Sequence, residues 1–368
     1  MNVTSPLMPS LEEFSRMLAG IWESRRLTNS GELHALLERR LAEYLGVPYI
    51  SLFANGTLPL MVALKALGLE HGEVVTTPYS FVATSHALLW SGMRPVFADI
   101  EPERCTLSPE CAERVITERT RAIMPVHVYG LPCDVEGFES LGRKYGIPVI
   151  YDAAHAFGVR MRGSSLLGWG DMASLSFHAT KVFNTVEGGA LVCRSAEMKR
   201  KIDRLKNFGF AGETSIVGIG INGKLDEVRS AWGLLNLKRV DEAIERRAKL
   251  SALYRRRLAD TPGVRMLPEP DGVEHNYSHF PVFITEEYTL SRDELYESLK
   301  AEGINGRRYF YPLITDFEPY AAMLASQSVN DIPNAREAAS QVICLPLYPE
   351  LREEEVRRIC EHITGREP

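Results

Sequence analysis

The chain has 368 residues, of which 45% are hydrophobic and 24% charged, and its formal net charge is −6. This composition is typical of a soluble globular enzyme, and the acidic balance argues against nucleic-acid binding through phosphate neutralisation. Because no apolar run approaches the roughly 20 residues of a membrane span and no signal peptide is evident at the start, we expect a cytoplasmic protein without a membrane partner.

The first 30 residues predict an N-terminal arm with one short helix at 11–25. A turn-rich stop follows, and then a second helix at 32–45. Ser30 precedes this helix and is its predicted N-cap, because a serine hydroxyl can accept a hydrogen bond from a free amide of the first turn.

Short strands and helices then alternate as far as residue 193. The predicted strands are 49–53, 73–77, 95–99, 122–128, 148–152, 174–177 and 190–193. The predicted helices between them are 60–69, 82–90, 109–118 and 135–145. Near-continuous Val and Ile strands alternating with helices predict an α/β fold with a mixed, mostly parallel sheet covered on both faces.

A long helix is predicted at 224–254, followed by turns rich in Pro and Gly. The remaining pattern has a strand at 279–284 and helices at 291–302 and 353–363, which indicates a smaller α+β domain. We therefore expect an arm at 1–30, a large domain at 31–240 and a small C-terminal domain at 241–368. The six cysteines and nine histidines show no metal-binding spacing, so we expect reduced, mostly buried thiols and no metal site.

One lysine is unusually placed. Lys181 follows the predicted strand at 174–177 and precedes Glu187-Gly188-Gly189. Such a lysine could form a Schiff base, which requires a partly desolvated amine. Taken alone, however, the stretch favours a surface lysine in a hairpin loop, because loops are polar by default.

Other polar residues fall at the same predicted edge of the sheet. Asn55-Gly56-Thr57 lies between a strand and a helix, where free amides could hold a phosphate, although any such turn favours these residues. Asp152 ends a buried strand and could pair with a protonated ring nitrogen, or cap a following helix. Because ligands of parallel sheets bind outside the carboxyl ends of strands, these residues and Lys181 are expected to meet.

Two rings could complete such a site. Phe81 could stack on a flat cofactor, although core packing is the commoner role, and His155 could contact a ring oxygen or be a structural histidine. Together the candidates require a flat, phosphate-bearing ligand with a ring nitrogen that reacts with an amine. Pyridoxal 5′-phosphate (PLP) has these parts, and with PLP as the cofactor we expect Lys181 to be the catalytic residue.

A competing motif, Gly218-Ile-Gly220-Ile-Asn-Gly223, matches the dinucleotide-binding pattern G-x-G-x-x-G. That pattern requires a preceding buried strand, whereas a glycine-rich loop precedes it here.

A group of basic residues lies on and after the long predicted helix, and we interpret it as a solvated face in preference to a diphosphate clamp. Its basic members are Arg246, Arg247, Lys249, Arg255, Arg256 and Arg257.

From about Leu27 to its C-terminus, the chain resembles the StrS-type (DegT/DnrJ/StrS) sugar-nucleotide aminotransferases, which are PLP enzymes of fold type I. The motifs that carry the resemblance occur in the family's order at 27–29, 55–57, 78–84, 151–158, 170–171, 176–181, 187–189 and 220–226. The resemblance implies an aspartate-aminotransferase-like fold and a homodimer with shared active sites. It also implies that an amino group moves from L-glutamate to a nucleotide-linked keto sugar.

The resemblance also implies residue roles. Lys181 would hold PLP as a Schiff base, Asp152 would pair with the ring nitrogen, His155 would approach the ring hydroxyl and Phe81 would stack on the ring. The implied phosphate ligands are Gly56, Thr57, Ser176 and, from the other subunit, Asn222. Residues considered for substrate binding are Thr28, Asn29, His178, Lys224, Arg308 and Tyr309, with core packing an equal alternative for the last two.

Within the family, Phe177-His178 and the stretch 185–189 resemble members that aminate C4 of the sugar, the dTDP-4-amino-4,6-dideoxyglucose synthases. The implied substrate is dTDP-4-keto-6-deoxy-D-glucose. The alternatives are a 3-keto sugar nucleotide 3-aminotransferase and a non-catalytic PLP-binding relative. A dehydratase of the same fold is disfavoured, because those relatives carry histidine in place of the lysine.

Overall fold

The computed structural model describes residues 1–324 and 331–365. The helices are α1 (Leu11–Ser24), α2 (Glu32–Leu45), α3 (Thr57–Ala66), α4 (Ala83–Trp90), α5 (Pro109–Arg114), α6 (Val135–Tyr145), α7 (Ala196–Leu205), α8 (Glu227–Leu237), α9 (Val240–Leu258), α10 (Arg292–Ala301), α11 (Glu318–Leu324), α12 (Pro333–Gln341) and α13 (Glu353–Thr364). The strands are β1 (Tyr49–Phe53), β2 (Gly72–Thr76), β3 (Met93–Phe97), β4 (Thr120–Met124), β5 (Ile150–Asp152), β6 (Arg160–Met161), β7 (Ser164–Ser165), β8 (Met172–Ser176), β9 (Gly189–Cys193), β10 (Phe210–Gly212), β11 (Ser215–Ile216), β12 (Val264–Met266), β13 (Val273–Glu274), β14 (Phe280–Ile284) and β15 (Val342–Leu345).

Seven strands of the described chain form the main sheet, in the order β1-β9-β8-β5-β4-β2-β3. Two groups of paired strands, β1-β9-β8-β5 and β4-β2-β3, are joined by parallel bridges from Ile123 to Val149 and from Val126 to Asp152. Only β9 of these seven runs antiparallel to its neighbours, β1 and β8. The prediction of a mixed, mostly parallel sheet in an α/β fold is therefore confirmed.

The sheet is buried on both faces. All five residues of β9 are buried, and so are all three of β5. One apolar cluster on the sheet includes Leu37 and Leu41 of α2, and another includes Leu60 and Leu64 of α3. Strands that lie between two helical layers need apolar residues at every position, which explains their continuous Val, Ile and Leu content.

The N-terminus of α2 corrects one prediction. Its N-cap is Gly31, which has no side-chain hydrogen bond, so Ser30 is not the cap. The carboxylate of Glu227, distant in sequence, accepts instead from the amides of Leu33 and His34, each at 2.9 Å. A Cβ added to Gly31 would lie 2.5 Å from Cδ of Glu227, so this approach needs glycine. The free amides at the start of α2 are therefore bound by a carboxylate distant in sequence, instead of by the predicted local hydroxyl.

The long helix predicted at 224–254 is wrong, because the structure has two helices, α8 and α9, that meet at Lys238 and Arg239. Neither Pro nor Gly marks the break. Val240 belongs to the core of the main sheet, whereas Leu250 and Leu258 belong to a second apolar core. Packing against two different cores, instead of a local stop signal, therefore ends the first helix.

The second core surrounds a small antiparallel sheet, β12-β14-β15. Helices α9, α10 and α13 contribute apolar residues to it, and the predicted strand and helices of this region are present. Helices α11 and α12 and strand β15 were not predicted. The predicted domain limits at residues 31, 241 and 368 stay a prediction, and residue 368 lies outside the described residues.

The interpretation of the basic residues as a solvated face holds for the exposed Lys249, Arg256 and Arg257 but is wrong for Arg247. Its side chain is buried, and its guanidinium donates to the carbonyl oxygen of Leu347 at 2.8 Å. The neighbouring Arg246 reaches the carboxylate of Glu353 at 3.3 Å. These arginines therefore hold α9 against the second core.

The six cysteines are free, and five of them are buried. In the described ranges 1–324 and 331–365, none of the helices combines the length and the apolar character that a bilayer span requires.

Candidate active site

The polar candidates meet at one edge of the main sheet. Asn55 to Thr57 follow β1, Asp152 ends β5 and Ser176 ends β8. These three strands run in the same direction, so their carboxyl ends lie at a common edge, where ligands of such sheets bind. Lys181 lies in the connection between β8 and β9, and its charge acts on both Asp152 and His155.

Asp152 is a buried carboxylate, with 6% of its surface exposed. Its Oδ2 accepts from Oγ1 of Thr84 at 2.7 Å, and its Oδ1 from the amide of Ala154 at 3.1 Å. Burial raises the pKa of the Asp152 carboxyl, while the two hydrogen bonds and the Lys181 charge oppose the rise. Residues 153–156 form a turn, so Asp152 does not cap a helix.

Lys181 is half-buried in a hairpin connection, since β8 and β9 are antiparallel neighbours. The hairpin alternative is therefore right about the loop, and the lysine side chain is only partly exposed. Burial lowers the pKa of Lys181 to about 8, and the nearby Asp152 charge limits the fall. A lysine with this pKa carries a neutral, nucleophilic amine in about a tenth of molecules at pH 7.

The candidate phosphate site lies where β1 meets α3. The side-chain oxygen of Asn55 accepts from the amides of Thr57 at 3.0 Å and Leu58 at 3.1 Å. A Cβ added to Gly56 would lie 2.7 Å from Cβ of Ser176, so glycine permits the close approach of the two segments. This contact brings the Ser176 hydroxyl to the positive end of α3, an arrangement suited to a phosphate.

His155 is buried and is tied to its surroundings through one ring nitrogen. Its Nδ1 accepts from the amide of Tyr129 at 3.1 Å, which assigns the proton of the neutral ring to Nε2. Burial, together with Lys181 and His279, lowers the pKa of His155 well below its usual value. A neutral His155 can therefore donate from Nε2 to an oxygen atom.

Three residues of this group were missed by the sequence analysis. The ring of His279 lies 4.6 Å from that of His155, measured between centroids. Asn276 donates to the carbonyl oxygens of His155 at 2.7 Å and Phe157 at 2.9 Å. Along with Tyr129, these residues fix His155, but they come from distant segments and no local pattern connects them.

Phe81 lies just before α4, with 62% of its surface exposed. The alternative that it packs in the core is therefore wrong. Its carbonyl oxygen accepts from the amide of Thr84, the residue that binds Asp152. The ring is thus attached to the segment that orients the carboxylate and is available for stacking.

The predicted substrate-binding residues are more dispersed. Thr28 and Asn29 are exposed between α1 and α2. His178 is in the lysine connection, and its Nδ1 lies 2.9 Å from Oγ1 of Thr180. Lys224 donates to the side chain of Asn207 at 2.8 Å and lies over the ring of Phe208.

Arg308 and Tyr309 have different surroundings. The Arg308 guanidinium pairs with Asp293 at 2.6 Å and packs on aromatic rings, so its charge is already engaged. The Tyr309 ring contacts that of His279, with centroids 5.6 Å apart. Tyr309 therefore borders the histidine group, whereas Arg308 belongs to a surface cluster.

Asn222 has an exposed side chain and a main-chain bridge to Asn207. Its predicted phosphate contact involves a second subunit and stays a prediction. The nearby glycine motif is preceded by an exposed two-stranded hairpin, β10 and β11, instead of a buried strand. The dinucleotide-binding alternative is therefore wrong.

The residues at the sheet edge fit PLP. Asp152 is a desolvated carboxylate whose two close donors are uncharged, so a protonated ring nitrogen would supply the missing positive partner. Lys181 supplies an amine of lowered pKa, and the Thr57 and Ser176 hydroxyls lie at the positive end of α3. The expected free amides are not available there, because those of Thr57 and Leu58 donate to Asn55. Within the described ranges, no group of three or more His, Cys, Asp or Glu side chains could hold a metal ion.

Comparison with known proteins gives consistent results. The model of the DegT/DnrJ/EryC1/StrS aminotransferase family matches residues 10–364. A dTDP-4-amino-4,6-dideoxy-D-glucose transaminase of Shigella dysenteriae is 50% identical, over 95% of this chain and 94% of that protein. An Escherichia coli protein of the same name is 45% identical, over 99% and 98%. The structure of DesI in the presence of its TDP-sugar product superposes with a TM-score of 0.93 at 33% identity, over 99% and 93%.

Proposed function

This chain belongs to the DegT/DnrJ/EryC1/StrS aminotransferase family, and we propose that it transfers the amino group of L-glutamate to C4 of dTDP-4-keto-6-deoxy-D-glucose. The products are 2-oxoglutarate and dTDP-4-amino-4,6-dideoxy-D-glucose. The proposal is supported by the names of the two relatives at 45% and 50% identity, which cover nearly the whole chain. The enzyme is PLP-dependent, as its family is.

The observation that carries the chemistry is the buried Asp152 carboxylate with only neutral donors on its oxygens. Facing a pyridine nitrogen, this carboxylate would keep a proton on that nitrogen, because the ion pair removes the cost of its own burial. When bound there, PLP supplies an electron-accepting ring that stabilises the charge left when a C–H bond breaks.

Lys181 has two roles in this proposal. Its amine of lowered pKa is the group that would hold the cofactor covalently. As a free base, the Lys181 Nζ would accept the proton from the α-carbon of L-glutamate. In the reaction of the keto sugar, it would deliver a proton to the sugar carbon that receives the amino group.

The neighbouring residues orient the reacting groups. His155 donates from Nε2 to the ring oxygen, which matches the tautomer assigned by its contact with Tyr129. The exposed Phe81 ring would stack on the cofactor, and the Thr57 and Ser176 hydroxyls at the start of α3 would hold its phosphate. These contacts fix the reacting bond relative to Lys181, as proton transfer requires.

We propose for the substrate side that Thr28, Asn29, His178, Lys224, Arg308 and Tyr309 face the nucleotide sugar or its approach. His178 and Tyr309 have the stronger support, because His178 lies three residues before Lys181 and Tyr309 borders the His155 group. A 3-aminotransferase remains the second candidate, since no contact within the chain distinguishes C3 from C4 of a sugar.

A homodimer with shared active sites is part of the proposal. The hairpin between α7 and α8 carries strongly exposed apolar side chains, including Ile219 at 84% and Ile216 at 63%. A partner subunit would cover this surface and receive Asn222 from the same connection.

A cytoplasmic location belongs to the same proposal and is supported by the six free cysteines.

The experiment that tests the function combines a spectrum with a substrate panel. The purified protein loaded with PLP should show visible Schiff-base absorbance that bleaches with L-glutamate. The bleached enzyme is then mixed with dTDP-, UDP- and GDP-linked 4-keto and 3-keto sugars, and the product is identified by NMR. A 3-amino product would favour the second candidate, and an absorbance that never appears would favour a non-catalytic relative.

A further inference from the structure

The first eight residues, called here the N-terminal strap, connect the small sheet to the lysine loop. At one end, the amide of Asn305 donates to the carbonyl oxygen of Met1 at 2.7 Å, and that of Leu347 to Val3 at 3.0 Å. At the other end, the Leu7 carbonyl oxygen accepts from two side-chain amides. These belong to Asn184 at 3.0 Å and Asn236 at 3.1 Å.

Asn184 lies three residues after Lys181, and the structure leaves none of its surface exposed. Besides its bond to the strap, its Oδ1 accepts from Nε1 of Trp232 at 2.9 Å and from the amide of Val186 at 3.2 Å. Asn236, equally buried, donates to the carbonyl oxygen of Asn184 at 3.1 Å. The lysine loop is therefore bound to α8 and to the strap at one point.

The loop has no regular secondary structure, and its position depends on the packing of Val182 and Phe183 in the main core and on a few hydrogen bonds. The amides of Lys181 and Thr185 donate to the carbonyl oxygens of His178 and Phe177, and residues 182–187 contain no helix or strand. Val186 adopts a φ of 68°, a region that a β-branched side chain disfavours. The hydrogen bond from its amide to Asn184 helps to maintain this conformation.

We propose that Asn184 and Asn236 are positioning residues for Lys181. Through their hydrogen bonds to Leu7, the N-terminal strap connects the lysine loop to the small sheet. The inference rests on the proposed role of Lys181 as the group that moves the proton. Because the Lys181 Nζ must reach two carbon atoms in turn, a loosened loop lowers the rate of proton transfer without removing the amine.

The experiment compares Asn236→Ala and Leu7→Ala with the wild type. Asn236→Ala removes both amide donations, whereas Leu7→Ala keeps them but truncates the buried side chain that anchors the strap. Asn334→Ala is the matched control, because it also removes an amide donation to a carbonyl oxygen, that of Ile100, away from the lysine loop.

The first readout is hydrogen exchange of the peptide covering residues 181–187 in the cofactor-free protein. We expect exchange to accelerate about tenfold or more in Asn236→Ala, which loses one hydrogen bond to the loop and one to the strap, and to accelerate also in Leu7→Ala. The control should exchange at the wild-type rate in this peptide. Wild-type exchange in both test variants, or equal acceleration in the control, would overturn the inference.

The second readout uses the PLP-loaded enzyme. Relative to the wild type, we expect Asn236→Ala and Leu7→Ala to have a lower kcat with little change in the KM for L-glutamate. We also expect the visible absorbance to change at a different pH midpoint. A loss of thermal stability with an unchanged midpoint and kcat would show a purely structural role and overturn the inference. The exchange measurement requires no amino transfer, so failure of the proposed function and failure of this inference are distinguishable.

Discussion

Thr84 donates a hydrogen bond from Oγ1 to Oδ2 of Asp152 at 2.7 Å, and both side chains are buried. The hydroxyl orients the carboxylate without adding positive charge. The carboxylate therefore keeps its full attraction for a cationic partner at the sheet edge, where Lys181 is the lysine that lowers its pKa. A protonated ring nitrogen would be such a partner.

Asp152→Asn should lower kcat by about a hundredfold or more, because it removes the charge that holds a proton on the ring nitrogen. Steady-state kinetics with L-glutamate checks this. Thr84→Val is the matched control, since it removes one neutral donor and should cost about tenfold or less. Equal kinetics for Asp152→Asn and the wild type would exclude the assigned role.

Lys181→Ala should abolish both the visible Schiff-base absorbance and transamination, because no other group is proposed to bond to the cofactor. Spectra and single-turnover assays of the PLP-loaded protein measure the two effects. A wild-type circular dichroism spectrum and a cooperative melting transition would show that the fold persists. Full activity in this variant would refute the assignment of Lys181.

The stability of the cofactor-free protein should depend on pH through Lys181. Its folded-state pKa of about 8 lies below the usual lysine value of 10.5. Between these values the unfolded chain binds more protons, so stability rises with pH. The free energy of unfolding of the wild type, minus that of Lys181→Met, should rise by about 2–3 kcal/mol across this window. Denaturant titrations at several pH values measure it, and a flat difference would contradict the lowered pKa.

Mixing two inactive variants tests the shared active site. Asn222→Asp should lose activity through repulsion of the phosphate, and Lys181→Ala through loss of the amine. If Asn222 serves the neighbouring subunit, refolding an equal mixture should restore about a quarter of wild-type activity, because half of the dimers are mixed and each has one intact site. No recovery, with mixed dimers confirmed by mass spectrometry, would place Asn222 in its own subunit's site.

Glu227→Ala should lower the free energy of unfolding by about 2–3 kcal/mol, because two amides at the start of α2 lose a charged acceptor. Thermal and denaturant unfolding measure the change. Glu227→Gln retains a neutral acceptor and should lose less. Wild-type stability of Glu227→Ala would mean that the charge and both hydrogen bonds contribute nothing.

Elements whose limits depend on residues close in sequence were predicted correctly, whereas those that depend on distant residues were missed. The helix at Val135–Tyr145 was predicted with its observed limits, since Asp134 accepts from Gly137 at its start and Gly146 has a left-handed conformation at its end. The cap of α2 was missed because its acceptor, Glu227, is distant in sequence. The break between α8 and α9 was missed because it depends on two separate cores.

The candidate site divides in the same way. Gly56, Asp152 and Lys181 could be identified because each lies at or after the end of a strand, and strand ends converge at one edge of a parallel sheet. Ser176 was implied by the family resemblance. Asn276, Asn184 and Asn236 could not be identified, because asparagine is an ordinary loop and helix residue until its partners are known. Phe81 stayed ambiguous until its exposure was measured.

The sequence by itself determined the alternation of strands and helices, the polar residues at the strand ends and the resemblance to an aminotransferase family. These features depend on local patterns of hydrophobicity and residue type. Only the tertiary structure decided that Asp152 lacks a close charged donor, that His155 presents Nε2, and that residues 1–8 hold the lysine loop. Such properties arise from burial and from hydrogen bonds between segments far apart in sequence, and a linear pattern does not record these distances.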